Sequence, residues 1–220
     1  IINLIFGMQQ YGTSFYPTTS TSTGLITGSY ALFLIIIVTF YAGELVWRER
    51  SQRIAEVTDA FPNADWIPLA AKLVALTGVV VAFYATGIVV TMINQLVRGY
   101  FNLEPGLYFV RLLLGCLPFV LMGVVALFLQ VISNNKFIGY LLMLIYLVSN
   151  PVLSLLNFED NLYRPMGAPF MPYSDMNGYG HFLIGWTWFR LYWGSFAALL
   201  FIAAMLFWVR GNRSTWRERV

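Results

Sequence analysis

Apolar residues gather in five long blocks along this chain, separated by shorter polar breaks. Each block meets the length of about 20 mostly apolar residues that a helix needs to cross a bilayer. They fall at about 25–47, 67–97, 107–133, 137–156 and 183–209. The pattern predicts an all-α fold, a polytopic membrane helix bundle. Residues 1–24 differ in character. The stretch YGTSFYPTTSTSTG is rich in Ser, Thr and Gly, breaks helices, and reads as an extramembrane approach to the first span. Residues Ile1 to Met8 read as the end of an earlier apolar element, and 210–220 as a charged tail.

One interruption stands apart. Glu44 to Trp66, ELVWRERSQRIAEVTDAFPNADW, carries Glu44, Arg48, Glu49, Arg50, Arg53, Glu56, Asp59 and Asp65 between the first two spans. Within it Ile54, Val57 and Phe61 recur at i, i+3 and i+7, while Arg50, Arg53, Glu56 and Asp59 take other faces, which predicts a short amphipathic helix. Phe61-Pro62 ends that helix, because the residue before proline is pushed out of helical geometry. Asn63 or Asp65 can cap the next one. Two readings of the block stand side by side: a solvated connector on the membrane surface, or a docking element whose apolar side enters a groove on a cytoplasmic protein.

The second span is long enough, at roughly 46 Å for 1.5 Å per residue, to exceed a hydrocarbon core of about 30 Å. It is expected to tilt, kink or project. Gly87, Thr91, Asn94 or Gln95, and Arg98 step along one of its faces, with Thr77 and Tyr84 on a neighbouring line. Polar groups in hydrocarbon turn towards other helices or water. The face therefore reads either as a helix-packing seam or as the lining of a substrate path. Pro118, beside Gly115, predicts a kink in the third span, and Asn150-Pro151 a break or bend late in the fourth. Gly24 and Gly28 form a small-xxx-small match suited to close helix contact.

The segment 157–182, NFEDNLYRPMGAPFMPYSDMNGYGHF, is too long and too rich in Pro, Gly and aromatics for an ordinary connector. It is expected to fold against the bundle as interfacial or re-entrant pieces. Asp175, Asn177 and His181 give it polar groups, and structural hydrogen bonding is the better reading, since one histidine and one carboxylate fall short of a zinc set.

Composition strengthens the membrane reading. The chain is 59% apolar and 10% charged, against a soluble norm of about 25% charged. A net charge of +3 is too small and too dispersed for a nucleic-acid partner. Arg48, Arg50, Arg53, Lys72, Lys136, Arg210, Arg213, Arg217 and Arg219 fall on one side of the predicted topology, and Arg98, Arg111, Arg164 and Arg190 on the other. Cytoplasmic flanks carry the Lys/Arg excess, so the block 44–66 and the carboxyl tail are expected inside, and 98–106 and 157–182 outside. WRER occurs at Trp47 to Arg50 and again at Trp216 to Arg219, which reads as a shared interfacial anchor or as a duplicated unit.

Chemistry leaves little trace. His181 is the only histidine, so no H-E-x-x-H exists. Ser195 has no basic partner in sequence reach, and no G-x-x-x-x-G-K phosphate loop occurs. Cys116 is alone, in an apolar run, and reads as a packing residue. The expectation is a chain without catalytic groups, metal or bound cofactor. It begins at Ile1 with no basic leader and cleavage site, and reads as a piece of a larger protein.

FYAGELVWRER, with EVTDAFPNADWIPLAAKLVAL after it, and PYSDMNGYGHF followed by WFRLYW resemble the second permease half of bacterial proteins that join type-2 ABC exporter membrane domains to a zinc aminopeptidase domain. The similarity runs from Leu25 to Gly211. It implies a six-span exporter half in a bacterial inner membrane, with five spans visible and the first preceding Ile1. It implies that Glu44 to Asp65 is the coupling-helix region, through which Glu44, Glu49, Arg50, Arg53, Ile54, Glu56, Val57, Asp59 and Phe61 meet a separate ATP-binding subunit that holds ATP and Mg. It also implies a second permease half, identical or not, and a re-entrant outer segment at 157–182. No aminopeptidase domain or zinc motif is present, so peptidase activity is not carried over. The competing expectation is a non-transporting membrane scaffold that recruits a cytoplasmic partner.

Overall fold

A computed structural model describes residues 9–10, 13–14, 17–54, 64, 66–158 and 160–208. Five helices carry the described fold: α1 (Thr19–Ser51), α2 (Trp66–Val97), α3 (Pro105–Ile132), α4 (Lys136–Leu155) and α5 (Phe182–Leu206). Ahead of them a two-residue antiparallel ladder pairs β1 (Gln9–Gln10) with β2 (Thr13–Ser14).

The first helix begins at Thr19 rather than near residue 25. The Ser/Thr run expected to break helices instead starts one. Thr18 is extended and its hydroxyl accepts from the Thr21 amide at 3.4 Å, an N-cap bond. One turn on, the Thr23 hydroxyl donates to the Thr19 carbonyl at 2.8 Å, so hydroxyls that would compete with a helix are absorbed into it.

Three helices stop in the same way. At the end of α2, Gly99 has φ +78°, its amide bonds the Leu96 carbonyl, and Tyr100 reaches back to Gln95. This six-to-one and five-to-two pair is a Schellman turn. Asn157 (φ +61°) does the same after α4, and Arg53 (φ +56°) after α1, with Ile54 bonding Glu49. Arginine at a left-handed position is costly compared with glycine. Proline acts less sharply than expected: α4 runs on through Pro151 to Leu155, and Pro118 lies within continuous α3.

The middle of the bundle is α3, which packs against each of the other four helices. Leu121 to Leu127 are buried all round it. Onto this rod α1 lays Leu34, Val38, Ala42 and Val46, one residue per turn. Along α2 the stripe is Leu69, Lys72, Leu76, Val80, Tyr84, Gly87, Thr91 and Gln95, spaced by three or four. Glycine sets the closest approaches. A Cβ on Gly123 would lie 2.8 Å from Leu76, and one on Gly115 would lie 2.9 Å from the Tyr84 ring. Gly43 lies under Tyr140, and Gly139 against Gln130. Gly24 and Gly28, in contrast, have open space around them.

Outward faces are apolar, with Phe33, Phe40, Val74, Val89, Leu144 and Leu199 all exposed. Such continuous apolar surface is incompatible with water. All five helices are long and apolar enough to cross a membrane, so the chain has the build of a multi-pass membrane protein. The chain order alternates their direction. Ser51, Trp66, Ile132, Lys136 and Leu206 therefore share one end, called the basic end below, and Thr19, Val97, Pro105, Leu155 and Phe182 share the other, the loop end.

Candidate functional site

At the basic end, the last turns of α1 form a hub. An α-helix turns by 100° per residue, so positions 44, 47 and 49 project in three directions. Each meets a different helix. The Glu44 carboxylate accepts from the Lys136 ammonium at the start of α4. Trp47 Nε1 donates to Gln130 Oε1 on α3 at 2.9 Å. Glu49 Oε1 accepts from Lys72 Nζ on α2 at 2.5 Å. Lys72 is buried, and its ammonium also lies 5.4 Å from the Trp208 ring, just past α5. That contact is a cation–π interaction in a water-poor setting. Gln130 is itself buried in the close contact with Gly139 that joins α3 to α4.

Of the residues expected to meet a partner, Glu44 and Glu49 belong to this hub. Arg50 stacks its guanidinium 5.1 Å from the Trp47 ring. Arg53 and Ile54 are exposed at the tip. Glu56, Val57, Asp59 and Phe61 lie outside the described residues. The amphipathic helix expected through Ile54, Val57 and Phe61 falls almost wholly outside the described residues, which place Arg50 within α1 and Arg53 and Ile54 just past its end. The helix here is α1 itself, which carries WRER without interruption from the span and ends at the Arg53 turn. The side chains that tie the hub together, Trp47, Lys72, Gln130 and Lys136, were not picked out as a set. Lys72 carried a signal nonetheless, since an ionisable group within an apolar run is expensive and needs a partner.

At the loop end, the polar face of α2 is packed rather than open. Thr91 is fully buried and its hydroxyl donates to the Gly87 carbonyl at 2.9 Å. Gln95, also fully buried, donates from Nε2 to the Pro17 carbonyl at 2.8 Å and accepts from the Tyr108 hydroxyl on α3. It clamps the entry to α1, the end of α2 and the start of α3 together. Asn94 is half-buried, with its Nδ2 unpartnered among the described residues. Arg98 is half-buried just beyond the helix.

The segment after α4 folds against the bundle as turns, without a helix among its described residues. Trp193 Nε1 donates to the Asn161 carbonyl at 3.2 Å, and Arg190 Nη1 to the Met166 carbonyl at 3.0 Å. Both ties run from α5. From α3, Arg111 lies beneath Tyr173 and Tyr179, 5.2 and 5.4 Å from their rings. Asp175 and Asn177 are exposed, and Asn177 supports the turn at Gly180. His181 is exposed immediately before α5, its ring 4.1 Å from that of Phe182. Among the described residues, no three His, Cys, Asp or Glu side chains come together as a metal site. A shallow apolar cavity of about 130 Å³ lies between Leu162 and the α5 residues Trp188, Phe189 and Tyr192. No family model matches this chain, and neither a curated protein nor a solved structure matches it.

Proposed function

We propose that this chain is a permease half of an ATP-driven exporter, in which a separate ATP-binding subunit with its ATP and Mg moves the exposed end of α1. One observation supports the reading above others. The tip bearing Arg48, Arg50 and Arg53 is continuous with a membrane-length helix, and side chains just behind it grip α2, α3 and α4. A push on the tip then reaches every neighbouring helix through a hydrogen bond or ion pair. By the distribution of Lys and Arg, the basic end faces the cytoplasm, and the resemblance to bacterial exporters implies a bacterial inner membrane. The chain supplies no catalytic group, and translocation proceeds between it and a second permease half.

The test is to reverse charge at Arg50, Arg53 and Glu56 together. The reading requires loss of co-purification of an ATP-binding subunit, or loss of its stimulated ATPase activity. Unchanged values of both would overturn it.

A membrane scaffold that recruits the same partner without transport is the second reading. The closed packing of Thr91 and Gln95 favours it, because the polar face of α2 presents no open path. Cysteine labelling at Thr91 separates the two. Labelling that changes with nucleotide supports transport, and protection in every state supports the scaffold.

A further inference from the structure

Among the described residues at the loop end, several buried polar atoms lack a hydrogen-bond partner, and two of them adjoin each other. Arg111 Nε and the Tyr179 hydroxyl are both removed from solvent, and neither has a partner among the described residues. They belong to one cluster, since the Arg111 guanidinium lies 5.4 Å from the Tyr179 ring. Local structure explains why they meet. The segment closes a tight antiparallel bridge between Ser174 and Gly178, with Ser174 N to Gly178 O at 2.9 Å and Gly178 N to Ser174 O at 2.7 Å. That register places Tyr173 opposite Tyr179, and their rings meet edge to face at 5.2 Å. Gly178 and Gly180, at φ +58° and +51°, supply left-handed turns that a side chain would resist.

Among the described residues no carboxylate pairs with Arg111 either. Glu104, Asp160 and Asp175 are exposed, and none makes an ion pair among the described residues. Arg190 Nε is likewise unpartnered, but the Met166 carbonyl holds Nη1 of that guanidinium and the Trp186 ring covers its face. Burial pushes the Tyr179 phenol above its ordinary range, so it keeps its proton and remains a donor. A half-buried guanidinium whose enclosed Nε–H is unmatched, beside an unmatched phenol, calls for an oxygen-rich anion, to which charge-assisted bonds are strong.

Depth narrows the source. With 28 residues, α3 is about 42 Å long, close to the roughly 40–45 Å of a bilayer with its headgroups. Arg111 lies about 9 Å in from the loop end of α3, at the boundary between headgroup and hydrocarbon. We infer that Arg111 and Tyr179 form a binding site for the phosphate of an anionic lipid headgroup, over which the Tyr173–Tyr179 hairpin closes.

The experiment places the whole chain in nanodiscs of phosphatidylcholine alone, of phosphatidylcholine with phosphatidylglycerol, and of phosphatidylcholine with added inorganic phosphate. Hydrogen exchange of residues 173–180 is read, together with retention of phosphatidylglycerol by native mass spectrometry. Phosphatidylglycerol is expected to slow exchange in the hairpin about tenfold, and inorganic phosphate to leave it unchanged. Arg111→Gln removes the protection. Tyr179→Phe, which keeps ring and packing, weakens it several-fold and so separates loss of the site from loss of the fold. Equal protection by inorganic phosphate overturns the lipid source. No protection in any disc, or the same retention in wild type and both variants, overturns the site.

Discussion

Lys72 donates to Glu49 across 2.5 Å, with the lysine side chain 7% exposed and the glutamate 37%. The pair is therefore unequal: the cation is enclosed by the bundle, and the anion still touches the surroundings. Breaking a buried pair from one side is costly because the other charge is left uncompensated.

Glu49→Ala is expected to destabilise more than Lys72→Met. The first strands a buried ammonium, at about 1–3 kcal/mol. The second leaves a carboxylate that can hydrate. The double variant should lie closer to wild type than Glu49→Ala alone. Thermal unfolding in detergent gives the order, and an equal loss in both single variants would refute the asymmetry.

Glycine at the helix crossings makes a second set of expectations. Gly115→Ala places a methyl 2.9 Å from the Tyr84 ring and should cost about 1–3 kcal/mol by overpacking. Gly78→Ala meets open space, and should be neutral or stabilising by up to about 1 kcal/mol through helix propensity. Melting temperatures of the two variants test the difference in sign.

Gln95→Leu removes the clamp at the loop end, leaving the Pro17 carbonyl and the Tyr108 hydroxyl unmatched. A loss of about 1–2 kcal/mol is expected, the usual ceiling for interhelical hydrogen bonds in membranes. Hydrogen exchange should rise first at residues 18–23. A rise confined to the middle of α2 would contradict the clamp.

Alkali should loosen the hairpin after 172. Burial raises the Tyr179 pKa above its unfolded value of 10.0. A phenol with a raised folded pKa contributes stability that is fully present below the unfolded pKa and lost as pH rises through the folded one. The difference in tyrosinate absorbance between wild type and Tyr179→Phe should thus show a group ionising above pH 10. A normal titration would mean that the phenol is open to water.

Much of this was legible in the chain itself. The four later spans start and stop within three residues of where apolar length placed them, because a run of that length and hydropathy has few alternatives to a helix. Gly99 and Asn157 mark helix ends with residue types that tolerate left-handed backbone. Other features were not legible. Arg53 takes the same left-handed position without the residue type that would announce it. Thr19 to Gly24 has a breaker's composition but a helix's environment, because Thr18 caps it and Gln95 holds the Pro17 carbonyl just ahead.

Sequence alone determined the number of membrane-length helices, their alternating direction and the concentration of charge after the first of them. These follow from local length, hydropathy and side-chain charge, which need no neighbour. Tertiary structure decided what the polar residues are for. Gly87, Thr91 and Gln95 share a helical face by periodicity, but only packing against α1 and α3 makes Gln95 a clamp. Glu44, Trp47 and Glu49 look like one charged patch in the chain, and only the surrounding helices turn them into three separate grips. Arg111 and Tyr179 are 68 residues apart in sequence, and the hairpin alone brings them together. Pairing across such distances is set by how helices pack, and a one-dimensional pattern carries no record of it.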